Sequence, residues 1–147
     1  MVKNSQIISE IFNTLFKISK RKTTEGYAYA LIETTKEELQ PKYPFFSSFS
    51  IKDTRFSENE NFINYDTSIE SIPQSTLCHG LQDFIIQINQ SLGKTAGPFF
   101  YKEIYSTISN NSNDTIQTYG LDLMLMQLEY EINQLEKRII KTLDQQK

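Results

Sequence analysis

Between Leu121 and Ile139 the apolar residues Leu121, Leu125, Leu128, Ile132, Leu135 and Ile139 recur at steps of four, three, four, three and four. A strand cannot use that spacing, because its side chains change face at every residue. A helix with 3.6 residues per turn stacks all six in one line. The spacing therefore predicts one long amphipathic helix over Gly120–Lys147, with Leu121, Leu128 and Leu135 at d of a heptad and Leu125, Ile132 and Ile139 at a. Isoleucine at a with leucine at d favours parallel two-stranded pairing. The flanks oppose it: in a parallel pair Glu131 at g would meet Glu136 at e, and Arg138 would meet Leu143. Leu123, Met124, Met126, Ile140 and Leu143 also widen the face, which suits packing on the helix's own domain or within a multi-helix interface. Both demands are met if the first half docks on the core and the second half projects. Leu128, Ile132, Leu135, Ile139 and Leu143 are then the expected partner interface.

The rest of the chain reads as four further helices and one hairpin. Ile7, Ile8, Ile11, Phe12, Leu15 and Phe16 predict a helix over Ser5–Lys20, capped by Asn4 or Ser5. A second helix is expected over Thr24–Leu39, with Thr23 or Thr24 as cap and Tyr27, Ala28, Leu31, Ile32, Thr35 and Leu39 facing inward. Pro41 ends it. Phe45, Phe49 and Ile51 alternate as in a strand. Phe62–Tyr65 reads as its partner, and Ser57–Asn61 as the polar turn between them. After a connector over Asp66–Gln74, Ser75 is expected to cap a third helix bearing the stripe Leu77, Leu81, Phe84, Ile85, Ile88 and Leu92. Gly93 supplies the left-handed terminus. Thr95 is expected to cap a fourth helix with Pro98 in its first turn and Phe99, Phe100, Ile104, Thr107 and Ile108 inside. Asn110–Asp114 reads as a loop, and Thr115–Tyr119 as a short strand or turn. The fold class this predicts is α+β: mostly helical, about five helices, a small antiparallel hairpin, and a single domain over 1–147.

Composition narrows the function. A net charge of −3 argues against a dedicated nucleic-acid binder, which usually carries a basic excess. Cys78 is the one cysteine, so no internal disulfide can form. The first residues turn amphipathic without a signal-peptide core, and no apolar run approaches a membrane span, so a cytoplasmic location is expected. There the Asn-X-Ser/Thr triplets at Asn89, Asn110 and Asn113 would be chance matches.

Four groups could carry chemistry. Leu92-Gly93-Lys94-Thr95 ends like a phosphate-binding loop, but the glycine required five residues earlier is Ile88, and the preceding segment is helical. Cys78 and His79 are the only residues of their types, too few for a zinc site, and as helix neighbours they point about 100° apart. His79 falls on the outer side of its helix, as in phosphotransfer domains, yet Gly80-Leu81-Gln82-Asp83 does not continue as their motifs do. Lys17, Lys20, Arg21 and Lys22 form the basic cluster, a candidate anion contact at a helix end whose dipole already favours positive charge. Two helices followed by a hairpin also match a winged-helix order, but Glu58 and Glu60 at the tip would repel phosphate. Phe45, Phe49, Phe84, Phe99 and Phe100 would line a small-molecule pocket or simply fill the core.

No residue pattern commits the chain to a reaction or a cofactor. The expectation is a non-catalytic regulatory or protein-interaction domain of the sensor or adaptor kind. It would form a homo-oligomer or bind a helical partner through its C-terminal helix. Phosphotransfer through His79 and DNA binding are the alternatives.

Overall fold

Helix α1 (Asn4–Lys22) runs through the middle of the molecule, with Ile8, Ile11, Phe12, Leu15 and Ile18 completely buried. The computed structural model describes residues 3–51, 63–108 and 110–145. Helices α2 (Glu25–Leu39), α3 (Gln74–Leu92) and α4 (Phe100–Thr107) pack on α1, α5 (Asn110–Tyr119) packs on α3, and α6 (Leu123–Gln145) packs on α4. Strands β1 (Phe49–Ile51) and β2 (Ile63–Tyr65) pair antiparallel, Phe49 opposite Tyr65 and Ile51 opposite Ile63. The expected turn over Ser57–Asn61, with Glu58 and Glu60, and the strand start at Phe62 lie outside the described residues. The class is the expected mostly helical α+β, with six α-helices rather than about five among the described residues.

The core is aromatic at its centre. Phe12 of α1 meets Phe84 of α3 at 4.5 Å and Phe49 of β1 at 5.2 Å, measured between ring centroids. Phe46, on a 3-10 helix over Pro44–Ser47, stacks on Phe45 at 4.4 Å and on Phe84 at 5.7 Å. Phe45 thus belongs to this turn, not to the expected strand. Gly80 lets α3 approach it: a Cβ there would stand 2.5 Å from Phe45 Cζ. Phe45, Phe49, Phe84 and Phe100 are core, whereas Phe99 is 51% exposed and Tyr27 of α2 is 49% exposed. Both had been expected inside.

Several helix ends are capped by side chains from other elements. Thr24 caps α2 as expected, its Oγ1 accepting from the Tyr27 N–H, and Gly93 ends α3 at φ 57°. Asn4 does not cap α1. It is the first residue of that helix, and its buried side-chain amide donates to the carbonyls of Ile69 and Ile72 at 2.9 and 3.0 Å, closing a 3-10 helix over Thr67–Ser71 inside the expected connector. Glu70 of that segment returns the contact, accepting from the Ser5 N–H at 2.9 Å, where a carboxylate complements the helix dipole. Ser75 and Thr95 do not cap either. Pro73 precedes α3, and Thr95 lies in a 3-10 helix over Gly93–Ala96, with Pro98 before α4 rather than in its first turn.

The asparagine-rich stretch is the largest departure from expectation. Asn110–Tyr119 is helix α5, not a loop followed by a strand or turn. Asparagine favours turns because its amide competes for backbone groups. Here Asn113 satisfies that tendency without breaking its helix, donating to the carbonyls of Tyr105 and Ile108 at the end of α4, at 2.7 and 3.2 Å. Gly120 is the terminator of α5, not the start of the next helix. With φ at 110° it directs its N–H to Gln117 and that of Leu121 to Ile116, a paired closure that left-handed glycine permits.

Candidate interaction surface

Asp122 starts α6, its carboxylate accepting from the Leu125 N–H at 3.0 Å. The helix then presents two nearly opposite apolar faces. Leu123, Met126 and Gln127 are buried against the body, and Tyr130 packs edge-on to Tyr101 of α4 at 6.0 Å. The heptad seam faces the other way. Leu125, Leu128, Ile132, Leu135, Ile139 and Leu143 are each 47–56% exposed, and Met124 and Ile140 extend the strip. The helix does dock through its first half, but through the residues between the seam positions. Leu125 and Leu128 are therefore as open as Ile139, and only Leu121, ahead of the helix, is buried.

Gln127 holds that docking in place. Its Oε1 accepts from the Lys102 N–H in the first turn of α4 at 3.1 Å, and its Nε2 donates to the Pro98 carbonyl at 2.9 Å. Phe99, at the cap position of α4, offers no side-chain cap, so a glutamine from α6 serves instead. Gln127→Ala is expected to cost about 1–3 kcal/mol, because it strands a buried donor and acceptor. Urea unfolding monitored by far-UV dichroism measures it, and an unchanged midpoint would contradict this role.

The basic cluster is largely engaged within the fold. Arg21 and Lys22 both bind the Glu103 carboxylate of α4, at 2.7 and 2.9 Å, and Lys20 lies 4.0 Å from Glu25. Lys17 is exposed on α1. The expected anion contact thus pins α1 to α4. His79 is exposed on α3, one turn before Asp83. Burial raises the Asp83 carboxyl, but hydrogen bonds from Tyr43 and Lys42 outweigh that and leave its pKa below the ordinary value.

Cys78 is buried, and its thiol donates to the Tyr119 carbonyl at the end of α5 at 2.7 Å. Burial pushes its pKa up to about 11. The thiolate is the reactive form, so a disulfide-exchange reagent at pH 8 is expected to label the folded protein slowly and the denatured protein at once. Equal rates would contradict the placement.

Two clefts remain. One of about 560 Å³ lies between α1 and α5, where Ser9 hydrogen-bonds Tyr65 and Ser112 donates to Glu10 at 3.0 Å. The other, of about 430 Å³, lies between the end of α3 and α6, with Asn89, Lys94, Glu129 and Lys137 in its walls. Among the described residues no cluster of Cys, His, Asp and Glu is grouped to hold a metal ion, and no helix is long and apolar enough to cross a membrane. No family model, curated protein or solved structure matches the chain.

Proposed function

We propose that this chain is a non-catalytic interaction domain of the regulatory or adaptor kind that self-associates through α6. One observation carries the reading: an unbroken aliphatic seam from Leu125 to Leu143 stays open on a helix already anchored by its opposite face. At roughly 600 Å² the strip stands at the upper end of what monomers expose, where such patches often mark interaction sites. Half-exposed leucine and isoleucine side chains each leave on the order of 100 Å², so six on each of two helices would bury roughly 1,200 Å², the lower end for a stable interface.

An interface of that size fits an exchanging dimer rather than a permanent one, which suits a domain whose assembly state carries information. The body of each copy stands behind its own helix, so a second helix reaches the seam unobstructed. A lone cysteine, buried and reduced, is compatible with the cytoplasm.

Light-scattering mass across concentration tests the reading. The mass is expected to rise from 17.1 kDa towards twice that value over the micromolar range. A constant monomer mass up to millimolar concentration would overturn it.

A further inference from the structure

The charges along α6 are largely segregated. Asp122, Glu129, Glu131 and Glu136 precede Lys137, Arg138 and Lys141, and Asp144 follows them. Neither Glu131 nor Arg138 has an ion-pair partner within its own chain among the described residues. Resting on the self-association reading above, we infer that two copies pair through α6 in antiparallel orientation, about a two-fold axis near Asn133 and Gln134. Leu128 then meets the partner's Ile139, Ile132 meets the partner's Leu135, and Glu131 meets the partner's Arg138.

The register follows from arithmetic on the seam. In antiparallel pairs an a position packs against a d position, and g flanks face g flanks. Setting Ile132 against Leu135 also sets Leu128 against Ile139, and Leu125 against Thr142 beside Leu143, so every seam residue finds a partner. Sliding one heptad either way strands seam residues at one end and places Glu131 against Glu131 or Arg138 against Arg138.

The chosen register makes two Glu131–Arg138 contacts by symmetry. On the other flank it brings Glu129 to Glu136. Parallel pairing sets Glu131 against Glu136 twice and offers no opposite-charge flank contact. Acid meets acid in both orientations, so the arginine contacts decide. Antiparallel pairing also opposes the two helix dipoles and sends the two bodies to opposite ends of the helix pair.

Disulfide trapping separates the orientations. Leu128→Cys and Ile139→Cys are made in separate chains, one carrying a mass tag, and oxidised with copper phenanthroline alone and mixed. Both positions are exposed, so the fold is retained, and Cys78 is buried. The mixed disulfide is expected, and neither variant alone should cross-link, because each position lies 11 residues, roughly 16 Å, along the axis from its own symmetry mate.

A self-disulfide of either variant, or a dimer by mass with no mixed disulfide, would overturn the orientation and leave self-association standing. A monomer by mass would remove both. Glu131→Arg gives an independent reading. It is expected to weaken dimerisation about tenfold, with recovery in the Glu131→Arg/Arg138→Glu double variant. Tighter association of the single variant would overturn the antiparallel pair, since a parallel pair gains a contact with Glu136.

Discussion

Replacing Phe84 by alanine is expected to remove about 3–5 kcal/mol of stability, the range for deleting a fully buried aromatic ring. Phe84 has no exposed surface and contacts rings from two other elements, Phe12 of α1 and Phe46 of the turn before β1. Neither neighbour can follow the lost ring inward, because Phe12 is also held by Phe49 and Phe46 by Phe45. The cavity would therefore stay largely open. Against a total stability of about 5–15 kcal/mol that loss is severe, lowering the melting temperature by roughly 10–20 °C. Phe99→Ala is the control. Its ring is half exposed, and its loss is expected to change stability by no more than about 0.5 kcal/mol. Chemical denaturation of both variants measures the contrast, and similar midpoints would contradict the assignment of core and surface.

The second large effect concerns association rather than folding. Leu128→Asp combined with Ile132→Asp places two carboxylates in the middle of the seam, where pairing would have to desolvate them without a partner. Dimerisation is expected to weaken by at least about a hundredfold, since each buried, unpaired charge costs several kcal/mol. The fold should survive, because both positions already face water and aspartate lowers helix propensity by only about 0.7 kcal/mol per site. A variant that unfolds would show that the seam packs on its own domain. One that keeps the native mass profile would show that association uses another surface.

How much of this was legible in the sequence differs by feature. Helices α1, α2 and α3 were readable because their stripes are broad and bounded by ordinary signals, Thr24 at one start and Gly93 at one end. The heptad of α6 was readable as a helix. Which of its faces the body would cover was not, because Leu123 and Met126 form a second, shorter apolar stripe. That stripe continues through Gln127, a residue that sequence alone assigns to water. Its burial makes sense only once the uncapped end of α4 lies beside it.

The same cause hid α5. Asn113, Cys78 and Asn4 each bond to the end of a helix other than their own; for Cys78 and Asn4 the partner lies dozens of residues away, and for Asn113 it is the preceding helix end, which the turn preference of asparagine masks in sequence. The basic cluster looked available for the same reason, since Glu103 lies some eighty residues from Arg21 and Lys22 along the chain. Local signals identified every helix but α5, and contacts from other elements completed several of their ends.

Amide hydrogen exchange of the native chain, compared between dilute and concentrated solution, tests the seam most directly. Residues 135–145 of α6 are exposed throughout, and a helical segment of that length standing alone in water is only marginally stable. Their amides should exchange quickly in dilute solution and slow at least tenfold on concentration, while those of α1 and α3 stay unchanged. Protection of α6 that ignores concentration, or that rises instead on another element, would contradict the seam as the site of self-association.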